Sequence, residues 1–344
     1  MIARRSRLAF AALFALACNT PTSASDTGVT PVDVADSRDA ERDAMDDASD
    51  ASESDDASDV VTDAPPPVRC VRRPRSDAGV ADGGDAGLAC NGSPELCERR
   101  FDQVAYATTH NAFAVEDERF GAPNQRRSMR QQLADGVRGL MLDVYLDRGR
   151  AQLCHGPCSL GRRPLVDGLC DITQFLDDQP GEVVTIIFES YTTAAEVERA
   201  FVESGLIERV HEQRAGDPWP TLRAMIERDR RVVVLTDREG GARPWYLPVW
   251  SHAWETPFSA RTPTDLETCR MNRGSRANPL FIFNHFLTNP LASPELATMV
   301  NNDPFLIDRA RRCQRETSAL PNFVTVDYYD IGSVLSTTRA LNGL

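Results

Sequence analysis

Residues 132–143, Gln132-Leu133-Ala134-Asp135-Gly136-Val137-Arg138-Gly139-Leu140-Met141-Leu142-Asp143, carry an amphipathic stretch into an apolar run that contains a carboxylate near its end. Residues 128–135 read as helix and 138–145 as strand, and the same alternation continues in both directions. Strands are predicted at 104–108, 138–145, 151–154, 183–189, 232–236, 249–254, 280–284 and 323–327. Helical stretches at 172–178, 194–204, 222–229, 294–300 and 304–315 fall between or before them. Strand–helix alternation implies a parallel sheet, and eight strands favour a barrel over an open sheet. The expected fold is α/β, an irregular TIM (β/α)8 barrel, irregular because 237–248 offers no helix.

Polar residues gather at one end of these strands. His110 and Asn111 follow the first, Asp143 lies near the end of the second, His155 follows the third and Glu189 closes the fourth. Asn284 and His285 close the seventh strand and Asp327 the eighth. In a barrel the C-terminal ends of all strands open at one mouth, so residues distant in sequence meet there. Two histidines and several carboxylates at such a mouth suit general acid–base chemistry, one imidazole accepting a proton while the other donates one. His211 and His252 lie outside this set and receive no role.

The chain has 344 residues, 41% of them hydrophobic, and a formal charge of −13. Between Asp26 and Asp63 fourteen acidic residues face two arginines, Arg38 and Arg42, so nearly all the excess lies in one segment. The remainder is close to neutral and carries no basic footprint for nucleic acid. Arg4, Arg5 and Arg7 precede an apolar run at 8–17 and Cys18, an arrangement that resembles a bacterial lipoprotein signal. Ala15 stands where such signals usually have Leu, and cleavage after Ser25 is the alternative, giving a secreted protein. Asn19 rather than Asp after the cysteine fits outer-membrane sorting by the same resemblance. The domains expected are a signal at 1–18, an acidic Asp/Ala/Ser-rich tether at 19–88 and the barrel at 89–344. Eight further cysteines, Cys70, Cys90, Cys97, Cys154, Cys158, Cys170, Cys269 and Cys313, form an even set that implies disulfides in an exported chain.

Taken together, Ala107-Thr108-Thr109-His110-Asn111-Ala112-Phe113, the 132–143 stretch and Leu153-Cys154-His155-Gly156 resemble, in order and spacing, the X domain of phosphatidylinositol-specific phospholipase C. Cys90-Asn91-Gly92, Leu96-Cys97 and the final Asn322-Phe323-Val324-Thr325-Val326-Asp327 are similar to an exported plant and fungal branch. The resemblance covers about residues 90–344, nearly the whole folded part.

The resemblance implies a phospholipase C-like phosphodiesterase that cleaves a phosphoinositide-type phosphodiester through a cyclic inositol phosphate. His110 matches the general base, His155 the general acid and Asp327 the carboxylate that orients His110. Asn111, Asp143 and Glu189 match calcium ligands of the metal-dependent members, although Met141 replaces the first acid of the second-strand pair. Metal-independent members carry an arginine where Asp143 stands. Calcium is the expected cofactor, with water and substrate filling the remaining positions. Arg138 and His285 are the substrate-binding candidates, although Arg138 lies deeper and on the opposite pleat face from Asp143. The resemblance also implies the pairs Cys90–Cys97 and Cys269–Cys313, leaving Cys70, Cys154, Cys158 and Cys170 open. The expected partner is a phospholipid at a membrane surface, met by a monomer held at the outer membrane through a lipid anchor. The alternative is a surface lipoprotein of the same fold that binds an inositol- or sugar-phosphate headgroup without turnover.

Overall fold

The computed structural model describes Cys70 and residues 89–344; the expected signal and nearly all of the expected tether lie outside the described residues. The strands are β1 (Tyr106–Thr109), β2 (Gly139–Asp147), β3 (Arg150–Leu153), β4 (Arg163–Pro164), β5 (Val184–Tyr191), β6 (Val232–Thr236), β7 (Tyr246–Pro248), β8 (Ala253–Glu255), β9 (Leu280–Asn284) and β10 (Phe323–Val326). The helices are α1 (Met129–Asp135), α2 (Leu165–Asp178), α3 (Ala194–Ser204), α4 (Leu222–Glu227), α5 (Val249–His252), α6 (Pro294–Val300), α7 (Phe305–Thr317) and α8 (Val334–Leu341). The main sheet has the order β7-β6-β5-β2-β1-β10-β9-β8, with every neighbouring pair parallel. This is an irregular (β/α)8-type barrel with a seam at β7 and β8, which α5 connects in place of a ladder.

Two departures from the predicted strands have local causes. The stretch 151–154 is not a barrel strand: Arg148 and Gly149 both adopt positive φ (52° and 72°), the two-residue turn that folds β3 back antiparallel on β2. His155 therefore follows a hairpin strand rather than the end of a barrel strand. The predicted strand 249–254 divides into α5 and β8. Pro248 has no N–H for a ladder, ends β7 and leads straight into the helical turn. The eighth barrel strand is thus the short β7, which the sequence did not mark.

Alternation along the strands sorts the core. Met141, Ile187, Val233, Leu235, Leu280, Ile282 and Phe323 pack together inside the barrel, whereas Leu140, Leu142, Ile186, Val234, Phe281, Phe283 and Val324 belong to the layer under the helices. Gly139 opens β2 where a Cβ would collide with the Thr108 side chain, which explains the glycine ahead of the apolar run. Gly136, at φ 113°, ends α1 in a conformation that few other residues adopt.

Four disulfides join the described cysteines: Cys70–Cys170, Cys90–Cys97, Cys154–Cys158 and Cys269–Cys313. The two expected pairs are present, and the four cysteines left open pair as Cys70–Cys170 and Cys154–Cys158. No helix among the described residues is long and apolar enough to cross a membrane.

Candidate active site

On β2, β5, β6, β8 and β9 the inward face is apolar inside the barrel and ends in a polar side chain at the C-terminal end. His110, Asp143, Glu189, Asp237, Glu255 and Asn284 line one cavity at the mouth, with Met141, Ile187 and Ile282 forming its floor. Asp143 and Glu189 are register partners on β2 and β5, so their carboxylates share one side.

His110 follows β1 and is fixed from three directions. Its Nδ1 pairs with Asp327 Oδ1 at 2.9 Å, its ring stacks on Phe286 at 4.0 Å with planes 10° apart, and Asn111 Nδ2 lies 3.3 Å from Nε2. With Nδ1–H donated to the carboxylate, Nε2 keeps its lone pair. Asn124 Nδ2 donates to the same Asp327 oxygen at 2.9 Å, and Gln125 Nε2 donates to the His110 carbonyl at 2.8 Å. Burial works against a charged His110, but the Asp327 carboxylate, aided by Asp143 and Glu189, raises its pKa above the ordinary value. Asn111 holds φ 46°, a left-handed conformation tolerated best by Asn after Gly, and brings its amide beside the imidazole.

His155 follows β3 inside the five-residue loop closed by Cys154–Cys158. Its Nδ1–H donates to the Ala122 carbonyl at 2.8 Å, which leaves the lone pair on Nε2. Burial lowers its pKa and the nearby His110 adds to that, while the Ala122 carbonyl opposes it. The two imidazoles and Asp327 thus lie within electrostatic reach of one another.

An acidic wall on β2, β5 and β6 adjoins them, since β2 is the neighbour of β1 in the sheet. Burial, the neighbouring Glu189 and Asp237 push Asp143 up to about 7, with His110 pulling the other way. Tyr191 donates its hydroxyl to Glu189. Asp237, at the end of β6, is also raised, by burial first and then by Glu189.

Two expected substrate ligands are elsewhere. Arg138 lies at the N-terminal end of β2, where its Nε meets Glu182 at 2.6 Å and its Nη1 donates to the Leu133 and Val137 carbonyls, each at 2.7 Å. Its guanidinium covers the Phe175 ring under the helices, so it does not serve the mouth. His285 follows Asn284 on β9 and points to the opposite face by the two-residue period. It is fully buried, bonded to the Val300 carbonyl at 2.9 Å and to Arg309 at 3.0 Å. Burial, then Arg309, pushes its pKa down to about 3.

The sequence reading missed Asp237, Glu255, Asn124, Gln125, Phe286 and Arg273. Asp237 directly follows a correctly predicted strand, so the strand-end rule that found Glu189 applies to it too. Glu255 was hidden by the misplaced 249–254 strand. Asn124 and Gln125 sit in an irregular loop, where no periodicity marks a residue as buried.

Similarity to known proteins follows the same boundaries. The model of a family described as PI-PLC X matches residues 96–342. An uncharacterized secreted protein of Arthroderma benhamiae is 28% identical over 270 residues, covering 71% of this chain and 61% of that one. A PI-PLC X domain-containing protein of Arabidopsis thaliana is 29% identical over 273 residues, 71% of this chain and 62% of that one. The chain thus spans about three fifths of these two relatives. Among solved structures, phosphatidylinositol-specific phospholipase C from Listeria monocytogenes superposes with a TM-score of 0.47 at 13% identity, over 72% of this chain and 95% of that one.

Proposed function

The chain belongs to the PI-PLC X family, whose model it matches over residues 96–342, and on that premise we propose that it is a phosphodiesterase acting on a phosphoinositide-type phosphodiester by two-histidine catalysis. The observation that carries this reading is the 2.9 Å pairing of His110 Nδ1 with Asp327, which leaves Nε2 as a base at the barrel mouth within electrostatic reach of His155. His110 Nε2 accepts the proton of the inositol 2-hydroxyl, whose oxygen attacks the phosphorus. His155 Nε2 donates a proton to the diacylglycerol oxygen as its bond to phosphorus breaks. The products are a cyclic inositol phosphate and diacylglycerol, and the proton balance is restored when His110 passes its proton to solvent and His155 regains one.

The protein's own groups favour the opposite resting protonation, raising His110 and lowering His155. A phosphodiester anion beside His155 favours its charged form, and positive charge beside Asp143 and Glu189 removes part of the support for a charged His110. Substrate binding therefore shifts both groups towards their working states.

Calcium is part of this reading. Among the described residues no three His, Cys, Asp or Glu side chains form a metal cluster, but Asn111 adds an amide oxygen that is buried and has no partner there. Asn111, Asp143 and Glu189 would hold the ion, and it would supply positive charge for the developing phosphate oxyanion. Calcium is expected to raise the melting temperature and chelation to lower turnover; full turnover by protein shown to be metal-free would overturn this part.

Four disulfides suit an oxidising compartment, and a relative is named as secreted, so export belongs to the proposal, with a lipid anchor at Cys18 holding the domain at the outer membrane. Exposed apolar side chains, Leu146 near the end of β2 and Phe258 and Leu291 in the loops after β8 and β9, suit a lipid surface. The test is phosphorus NMR of phosphatidylinositol vesicles with the protein. A new cyclic phosphodiester resonance is expected; binding of vesicles without any such signal would favour the headgroup-binding alternative.

A further inference from the structure

Among the described residues Arg273 is the one arginine that lines the mouth cavity, and it enters from the loop between β8 and β9, where no motif lies. The backbone there is fastened to β8: Glu255 N–H donates to the Arg273 carbonyl at 3.1 Å and Asn272 N–H to the Glu255 carbonyl at 2.8 Å. Gly274, at φ 86°, packs so closely on Ala253 and Trp254 that no Cβ fits.

The side chain is equally constrained. Arg273 Nε donates to Glu255 Oε1 at 2.5 Å. Glu255 is only 2% exposed and also accepts from Asn272 Nδ2 at 2.9 Å and Asn284 Nδ2 at 3.0 Å, so it is a rigid anchor. The guanidinium carbon lies 4.4 Å from the Trp250 ring centre and 4.7 Å from that of Phe258. Arginine has five N–H donors, and Glu255 occupies the one on Nε. Neither Nη atom has a hydrogen-bond partner among the described residues, and the side chain is 43% exposed.

A guanidinium held by its Nε and resting against two aromatic rings has part of its rotamer entropy spent before a ligand arrives, and its two Nη groups match a pair of phosphate oxygens. We propose that Arg273 binds the non-bridging oxygens of a phosphate group in the mouth, across from Asp143, Glu189 and Asp237, and orients it towards His110. The inference deepens the phosphodiesterase reading and uses it for the identity of the substrate; the phosphate contact itself rests on the geometry of Arg273. Glu255 acts through Arg273 as a positioning residue.

Calorimetric titration of the full chain with myo-inositol 1-phosphate and with uncharged myo-inositol tests this. Arg273→Met should bind inositol 1-phosphate about 10- to 100-fold more weakly, the worth of charge-assisted hydrogen bonds, with unchanged affinity for myo-inositol. Arg273→Lys keeps a cation against buried Glu255 and so protects folding. A lysine ammonium cannot hold Glu255 and present a planar fork at once, so it too should lose about 10-fold for the phosphate. Wild-type affinity for inositol 1-phosphate in both variants, or no binding of it by the wild type, would overturn the proposal. If the wild type binds inositol 1-phosphate in an Arg273-dependent way yet never cleaves phosphatidylinositol, the phosphodiesterase reading fails and the phosphate site stands.

Discussion

Replacing His110 by alanine is expected to lower kcat on phosphatidylinositol by about 10²- to 10⁴-fold, the usual worth of a positioned general base. His155→Ala should cost a similar factor on the natural lipid. The two losses should separate on a substrate whose leaving group is a nitrophenol. Such a group departs without protonation, so His155→Ala should recover most of its activity there, whereas His110→Ala should not. Folding should change little in either case. Asn124 still donates to Asp327 after His110 is removed, and His155 makes one side-chain hydrogen bond, to Ala122. Turnover and thermal melts measured together check this, and wild-type kcat in either variant would sink the assignment.

Asp327→Asn is the second large effect. The amide preserves shape but removes the charge that holds the Nδ1–H tautomer of His110, and it leaves Nε2 less basic. A loss of up to about 10⁴-fold in kcat is expected, by analogy with the carboxylate beside any catalytic imidazole. The pH profile gives an independent reading. Asp327 is the leading cause that raises His110, opposed only by burial, so without it the His110 pKa falls. In kcat/KM, which reports the free protein, the upper limb belongs to the higher of the two histidine pKa values and should move to lower pH. An unmoved upper limb with wild-type turnover would show that Asp327 only packs against the ring.

The calcium test bears on the same balance. Asp143 and Glu189 both support the charged form of His110, and burial, together with the repulsion from Glu189, pushes Asp143 up to about 7. Any positive charge placed between them lowers that repulsion and eases His110 towards its neutral, basic state. Asp237 is raised chiefly by burial, and Arg273 offsets a small part of that rise, but Arg273 is already committed to Glu255 through Nε. A cation held by Asn111, Asp143 and Glu189 would stand on the side of β2 and β5, whereas Arg273 enters from the loop after β8, so the experiments above separate the two.

The strands that carry His110, Asp143, Glu189 and Asp327 were legible in the chain because each is a short apolar run closed by a polar residue. Period-two alternation then says which face every residue takes. That rule alone excludes His285 from the mouth once Asn284 faces inwards, and it sets Arg138 on the outer face below Leu140. The even cysteine count likewise announced disulfides. Its resemblance to known sequences supplied two of the pairs.

Tertiary structure decided what depends on partners far away in the chain. Whether 151–154 joins the barrel rests on the Arg148-Gly149 turn, which pairs it antiparallel with β2 and delivers His155 from the side. Cys70 meets Cys170 across 100 residues, and Asn124 meets Asp327 across 203, separations at which local pattern carries no information about contact. Phe286 and Arg273 look in sequence like an ordinary apolar and an ordinary charged residue. Only the closing of the sheet puts one ring against His110 and brings the other residue to buried Glu255, because a side chain's face is a local property of the strand while its neighbour is a property of the whole fold.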